Sequence, residues 1–278
     1  MPFVELRGIR FHYLVSGLQG PLVAFQHGLG GDVSQPQGIL GQSASLRVLA
    51  FDCRGHGRTE PMGPSEDLTF TVFADDLGAI LDALGLERVI VGGISMGAGV
   101  ALNFAIRYPS RLAGLILSRP SWLDTGYPKN LEILKRICRH LKDDGPEATR
   151  QWLPTDPEFQ RIQSISRDNA ASLTRQLERP DVEGMIPLLE RLPASSPCPA
   201  PEAWRQVNAP TLVIVNGRDA LHPLAYGERL VAGIPGASLV EITPKELDPA
   251  AHAHDTARVI EEFVASLGEP ETRPAPFR

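Results

Sequence analysis

The sequence predicts an α/β fold with a mostly parallel sheet. Short apolar runs rich in β-branched residues alternate with amphipathic helical patterns up to about residue 118 and again from residue 211 of the 278-residue chain. Such alternation indicates βαβ crossovers, and therefore parallel strands with helices on both faces. Residues 119–207 carry helical patterns and prolines without a convincing strand. We therefore expect one α/β core, residues 1–118 and 208–278, interrupted by a helical cap at 119–207.

Local periodicity predicts each element in turn. Alternating apolar and polar residues predict a hairpin at 3–16. Apolar runs predict buried strands at 22–25, 46–51, 89–91, 115–117, 212–215 and 238–242. Apolar side chains at three- and four-residue spacing predict helices at 73–84, 131–141, 157–177, 182–192, 224–233 and 250–267.

Composition narrows the class of partner. The formal net charge of −6 argues against a nucleic-acid or anionic-membrane surface. No apolar run approaches membrane-spanning length, and the first residues lack the pattern of a secretory signal. The three cysteines are widely spaced and odd in number, as expected for reduced thiols. We expect a cytoplasmic protein, a monomer or homodimer, with a small-molecule substrate and no nucleic-acid or membrane partner.

Residues 93–97, Gly-Ile-Ser-Met-Gly, lie between a predicted strand and a helical pattern. In such a turn the central Ser95 takes a strained backbone, and small residues two positions before and after it avoid clashes. The geometry would lift Ser95 Oγ above the sheet edge. It would also place the Met96 N–H at a helix start, where a developing anion is stabilised. We expect Ser95 to be a nucleophile; the alternative is an ordinary glycine-rich turn.

Three further motifs occur in order on predicted loops. Residues 27–31 read His-Gly-Leu-Gly-Gly, residues 52–59 read Asp-Cys-Arg-Gly-His-Gly-Arg-Thr, and residues 216–219 read Asn-Gly-Arg-Asp. With residues 93–97 they resemble the α/β-hydrolase fold family, in particular serine hydrolases with a helical cap after the sixth strand.

This resemblance implies roles for several residues. The amides of Leu29 and Met96 match the two oxyanion donors, and Asp219 matches the acid of the catalytic triad. The resemblance implies that the other polar side chains of these loops stabilise the turns, namely His27, Arg54 and His56.

The third triad member departs from the family pattern. Relatives usually have a Gly-His pair after the last strand, but residues 243–249 contain no histidine, and family spacing puts Glu246 near that place. The chain order Ser, Asp, His leaves three candidates: His222, His252 and His254.

Helical geometry separates these candidates. Stepping back from the apolar stripe of the last helix places His252 on the core-facing side and His254 on a solvated face. A helix N-terminus also favours the neutral imidazole that can accept a proton. His222 follows Asp219 by only three residues, which makes it hard for both to approach Ser95. We predict His252 as the base, with His254 and His222 as open alternatives.

These residues together predict a serine hydrolase that cleaves a small ester, thioester or lactone through an acyl-enzyme. Ser95 would attack, His252 would take and return the proton, and Asp219 would orient the imidazolium. No cofactor and no metal is expected, because no Cys/His cluster has ligand spacing. The alternatives on the same fold are a lyase or C–C hydrolase, and a non-catalytic ligand sensor. Arg119 could meet a substrate carboxylate or pair with an acid of the cap.

Overall fold

The computed structural model describes residues 2–179 and 181–268; residues 269–278, the end of the predicted core, lie outside them. The strands are β1 (Phe3–Leu6), β2 (Ile9–Ser16), β3 (Leu22–Gln26), β4 (Arg47–Phe51), β5 (Val89–Ile94), β6 (Leu112–Ser118), β7 (Thr211–Val215) and β8 (Ser238–Glu241). The helices are α1 (Ser34–Leu40), α2 (Phe70–Ala83), α3 (Met96–Arg107), α4 (Glu132–Trp152), α5 (Pro157–Ile165), α6 (Arg167–Leu177), α7 (Ile186–Arg191), α8 (Leu224–Gly233) and α9 (Pro249–Ser266).

The strands form one twisted sheet in the order β1-β2-β4-β3-β5-β6-β7-β8. The β1–β2 and β2–β4 pairs are antiparallel, whereas every pair from β4–β3 to β7–β8 is parallel. The carboxyl ends of the parallel strands meet at one edge, which is where open α/β sheets bind ligands. The predicted α/β fold class is confirmed.

The predicted elements agree with the observed ones in type and differ mainly in length. Two differences have a local cause. The pattern at 157–177 is two helices, because Ser166 is extended and its side chain accepts a hydrogen bond from the Asn169 N–H, which starts α6. Helix α1 was not predicted, since its seven residues include a proline and a glycine.

Residues 119–207 lie between β6 and β7 and contain α4 to α7, with no strand among their described members. We keep the division into core and cap as a prediction and call residues 119–207 the cap. No helix in the described ranges combines the length and apolar character needed to cross a membrane.

Strand β5 ends directly before Ser95 at the sheet edge and is buried on both faces. Val89 and Val91 pack into the apolar cluster that includes α2 and α3. Ile90 and Ile94 pack into the cluster that includes α9 on the opposite face. This two-residue alternation, with both faces apolar, is typical of a central parallel strand.

Two leucines allow a matched test of the burial of the neighbouring strand β6. Leu117 in β6 is fully buried at 0% exposure, whereas Leu18 is 102% exposed. We expect Leu117→Ala to lower the free energy of unfolding by about 2–5 kcal/mol, because the deletion leaves a cavity. Leu18→Ala should change it by less than about 0.5 kcal/mol. Urea unfolding followed by circular dichroism measures both; equal effects would contradict the central position of β6.

Candidate active site

Ser95 forms a strained turn between β5 and α3. Its φ of 57° and ψ of −111° lie outside the regions that side chains other than glycine usually adopt. A Cβ on Gly93 would lie 2.3 Å from the carbonyl carbon of Gly97, and a Cβ on Gly97 would lie 2.4 Å from the Gln26 carbonyl oxygen. Only glycine fits at either position, so the two glycines permit the close approach that holds Ser95 at the sheet edge.

A histidine ring lies beside the Ser95 hydroxyl. His222 Nε2 is 2.9 Å from Ser95 Oγ. His222 Nδ1 is 2.7 Å from Asp219 Oδ1. With Nδ1–H donating to the carboxylate, Nε2 is free to accept the serine proton. The three side chains therefore form a continuous hydrogen-bond path from hydroxyl to carboxylate.

A tight turn brings Asp219 and His222 together. Asp219 Oδ1 accepts from the backbone N–H of His222 at 3.2 Å as well as from the ring. The turn places the carboxylate behind the imidazole, so only the imidazole has to approach Ser95. The expectation that Asp219 and His222 lie too close in sequence for both to approach Ser95 is therefore wrong.

The prediction of His252 as the base is contradicted, because the ring that bonds to Ser95 Oγ belongs to His222. The His252 Nδ1 atom lies 2.8 Å from the Thr243 carbonyl oxygen and is tied to the end of β8. His252 does lie on the buried face of α9, as helical geometry predicted. Burial alone does not bring its ring to Ser95. The alternative His254 has a side chain that is 77% exposed.

Arg119, at the carboxyl end of β6, holds the other side of the Asp219 carboxylate. Its Nε donates to Asp219 Oδ2 at 2.6 Å, and its Nη2 lies 3.2 Å from His222 Nδ1. Arg119 thus pairs with the candidate acid Asp219. The two partners expected for it were a substrate carboxylate and an acid of the cap, and Asp219 is neither. Its backbone φ of 48° lies in the left-handed region that residues other than glycine rarely adopt.

The charges of these three groups shift each other's protonation. Burial would raise the pKa of Asp219, but the Arg119 guanidinium and His222 outweigh it and hold that pKa well below its usual range. Burial lowers the pKa of His222; Asp219 opposes this shift and Arg119 adds to it. His222 is therefore neutral at neutral pH, the form that can accept a proton.

The two amides assigned to the oxyanion lie next to Ser95. Met96 is the first residue of α3. Leu29 lines the same cavity as Ser95, and a Cβ on the preceding Gly28 would lie 3.5 Å from Ser95 Cβ. Neither amide donates a backbone hydrogen bond elsewhere within the described chain. Their use as an oxyanion hole stays a prediction.

The other polar side chains of the loops are engaged in holding them. His27 Nδ1 donates to the Gly28 carbonyl at 2.8 Å, and its Nε2 accepts from the Cys53 N–H at 3.0 Å. His56 Nδ1 donates to the Arg54 carbonyl at 2.9 Å. The Arg54 guanidinium binds both carboxylate oxygens of Asp76, at 2.6 and 2.9 Å.

A cavity of about 130 Å³ opens over Ser95 and His222. Cap side chains form much of its lining, which is apolar at Trp122 and Leu173 and charged at Arg175. Within residues 2–179 and 181–268, no group of three or more His, Cys, Asp or Glu side chains is arranged to hold a metal ion.

Sequence reasoning missed three neighbours of this path. Ser121 Oγ lies 3.2 Å from Ser95 Oγ. Asn130 and Asn169 of the cap bond to the loop that carries His222. Ser121 follows the end of β6, a place where ligand-binding groups are expected. The two asparagines gave no signal in the sequence.

Comparisons with known proteins agree with this geometry. Residues 21–253 match the family described as alpha/beta hydrolase fold. The chain is 30% identical to the 2-hydroxy-6-oxo-6-phenylhexa-2,4-dienoate hydrolase of Comamonas testosteroni over 244 residues, 84% of each protein. It is 29% identical to the 2-hydroxy-6-oxononadienedioate/2-hydroxy-6-oxononatrienedioate hydrolase 2 of Pseudomonas putida over 211 residues, 71% of this chain and 69% of the relative. The enol-lactonase from Burkholderia xenovorans LB400 shares the fold, with a TM-score of 0.75 and 21% identity over 95% of this chain and 100% of that one.

The role of Arg119 can be tested by titrating His222. Arg119→Met removes a cation that lowers the pKa of His222, so we expect this pKa to rise relative to the unchanged protein. NMR titration of the imidazole nitrogens measures it. Arg175→Met is the control, because it removes another cation from the cavity lining. A His222 pKa that does not rise, or that rises equally in the control, would contradict the assigned electrostatics.

Proposed function

Because this chain belongs to the α/β-hydrolase fold family, we propose that it is a serine hydrolase that cleaves small esters, thioesters or lactones through an acyl-enzyme. One observation carries the proposal. The path from Ser95 Oγ through His222 to Asp219 is continuous, with distances of 2.9 and 2.7 Å. A serine hydroxyl is a weak nucleophile and needs a base within hydrogen-bond reach. His222 provides that base, and Asp219 fixes its tautomer.

The proposed reaction has two steps. Ser95 Oγ attacks the carbonyl carbon while its proton moves to His222 Nε2, and Asp219 stabilises the imidazolium through Nδ1–H. The amides of Leu29 and Met96 would hold the oxyanion, a contribution of about 3 kcal/mol for each donor. His222 then protonates the leaving group. A water activated by the same imidazole attacks the acyl carbon and releases Ser95.

Ser121 supports the proposed nucleophile directly. Its side chain is fully buried, and its hydroxyl lies 3.2 Å from Ser95 Oγ. Since Ser95 donates its proton toward His222, the Ser121 hydroxyl is placed to donate to a lone pair of Ser95 Oγ. This bond would fix the serine rotamer and stabilise the oxygen when it leaves the acyl group.

The cavity favours a short acyl group. Its volume of about 130 Å³ lies well below the roughly 300–1,000 Å³ of sites for drug-sized ligands. Lys245 in the lining is paired with Asp168 at 2.7 Å. Arg175 also lines the cavity. It has no ion-pair partner among the residues that the structure describes. The excess positive charge favours a neutral or anionic substrate over a cationic one.

Hydrolysis of a C–C bond is the second candidate. It is favoured by two relatives, one named a hydrolase of 2-hydroxy-6-oxo-6-phenylhexa-2,4-dienoate and the other a hydrolase of 2-hydroxy-6-oxononadienedioate and 2-hydroxy-6-oxononatrienedioate. The same nucleophile, base and acid would serve. The small cavity argues against it, because a phenyl-substituted dienoate needs more room than a short acyl chain.

We also propose a cytoplasmic location, a small-molecule substrate without nucleic-acid or membrane partners, and a monomer or homodimer. Two observations support the location and the partners. The net charge of −6 disfavours polyanionic surfaces. The three cysteines are free and buried, as is common where thiols stay reduced.

A pair of histidine variants tests the assignment of the base. With p-nitrophenyl acetate and butyrate, we expect His222→Ala and Ser95→Ala each to lower kcat by about 10⁴-fold or more, because the triad acts as a unit. His252→Ala, the matched control, should stay within a few-fold of the unchanged protein. A fluorophosphonate probe should label the protein and not Ser95→Ala. The reverse order of the histidine effects would overturn the assignment, and no labelling with no turnover would favour the ligand sensor.

The same assay gives a pH dependence. A protonated His222 cannot accept the serine proton, so kcat/KM should fall as the pH drops through the pKa of this residue. Since burial lowers that pKa, activity should persist below the usual histidine pKa of about 6.5. A pH–rate profile from pH 4 to 9 measures the limb; an acid limb above the usual value would contradict the neutral, buried base.

Two substrates separate ester from C–C hydrolysis. We expect kcat/KM for p-nitrophenyl acetate to exceed that for 2-hydroxy-6-oxo-6-phenylhexa-2,4-dienoate by about tenfold or more, because one CH₂ of mismatch in a pocket already changes rates about tenfold. Release of nitrophenol and loss of the dienoate absorbance measure the two reactions. A higher kcat/KM for the dienoate would replace the proposed activity by the second candidate.

A further inference from the structure

The loop that carries both Asp219 and His222 is held by two asparagines of the cap. Asn169 Oδ1 accepts from the N–H groups of Ala220 at 2.8 Å and Leu221 at 3.2 Å. Asn130 Nδ2 donates to the Leu221 carbonyl at 2.6 Å. The N–H and the C=O of the residue directly before His222 are therefore both bonded to the cap.

The two asparagines are themselves fixed. Asn169 is 2% exposed and lies in the first turn of α6, where its N–H donates to Ser166 Oγ at 3.2 Å. Asn130 is 7% exposed, and its Oδ1 accepts from the Tyr226 hydroxyl at 2.8 Å. Asn130 Nδ2 also donates to the Ser121 carbonyl at 3.1 Å, which joins the Ser121 loop to the His222 loop.

The loop after β8 also bonds to the first turn of α6. Glu246 Oε2 accepts from the Asp168 N–H at 3.1 Å, and Lys245 Nζ lies 2.7 Å from Asp168 Oδ1. Glu246 is the residue that family spacing puts near the place of the histidine. In this chain that loop contacts the cap, and the cap contacts the loop with the histidine.

These contacts bear on the position of the His222 ring. Buried peptide groups that lose their partners must find others or become exposed to water, so the loop would rearrange without the asparagines. His222 directly follows the bonded peptide, and its ring must stay within hydrogen-bond distance of Ser95 Oγ. A shift of about 1 Å at a reacting group can cost about 100-fold in rate.

We propose that Asn169 and Asn130 are positioning residues through which the cap holds the catalytic base. This inference rests on the proposed function. The cap then sets the rate of the chemical step as well as enclosing the substrate, because His222 reaches Ser95 only when the cap is seated on the loop.

Variants of Asn169 separate this role from simple docking of the cap. Asn169→Ala removes the acceptor oxygen, whereas Asn169→Asp keeps it. For p-nitrophenyl acetate we expect Asn169→Ala to lower kcat by about 10- to 100-fold, with KM changed by less than about threefold. Asn169→Asp should recover most of kcat. Its acid limb should move to higher pH, because a negative charge near His222 favours the imidazolium.

Asn103→Ala is the matched control. Asn103 Nδ2 donates to the Pro197 carbonyl at 2.9 Å, so this variant also loses a buried hydrogen bond between core and cap, away from His222. It should keep kcat within about threefold. If Asn169→Ala does not fold, Asn130→Ala tests the loop from its other side. A folded Asn169→Ala or Asn130→Ala with the kcat of the unchanged protein overturns the inference, as does a loss confined to KM or shared equally by Asn103→Ala.

Amide hydrogen exchange gives a readout that needs no substrate. Asn169→Ala should speed exchange at Ala220 and Leu221, and Asn103→Ala should not. Unchanged exchange at both amides would overturn the inference even if kcat fell. If the protein without substitutions neither turns over esters nor reacts with a fluorophosphonate, the proposed function is overturned. The exchange rates would still report whether Asn169 holds the loop.

Discussion

The hydrogen bonds that the Asp219 carboxylate accepts from His222 constrain the whole site. One oxygen, Oδ1, takes both the backbone N–H and the ring Nδ1–H of a residue three positions later. A turn this short leaves the imidazole little freedom to rotate, because its ring and its peptide are bound to the same atom. The only remaining ring nitrogen points at Ser95 Oγ. The role proposed for the strained turn at Ser95 and for the cavity above it depends on this ring being held there.

An ionised carboxylate at this depth needs compensation. Asp219 has 7% of its surface exposed, and an unpaired charge in such surroundings would be strongly unfavourable. Arg119 supplies the counter-charge on Oδ2, the oxygen that does not contact His222. The guanidinium thus keeps the acid charged and at the same time weakens the basicity of the imidazole. One cation therefore serves both the solvation of the acid and the protonation state of the base.

Much of the fold and part of the site could be predicted because their signals are local. The alternation of apolar runs fixes the parallel strands, and the strand ends point to Ser95 and Asp219. The choice of histidine could not be made in the same way. Helix periodicity reports which side of α9 is buried, but it does not report that Thr243 binds the His252 ring. The bonds that orient the loop before His222 come from Asn130 and Asn169, 91 and 51 positions away, and sequence spacing carries no information about them.

The edge of the sheet is affected by where the base lies. Strand β8 is short and mostly exposed, and it pairs on one side with β7. A base placed after β8, as predicted for His252, would move with any movement of this edge. The proposed nucleophile, acid and base all lie at or before residue 222. Under this assignment β8 and α9 do not have to align the base. Substitutions there are constrained by packing and by the contacts of Lys245 and Glu246 with the cap.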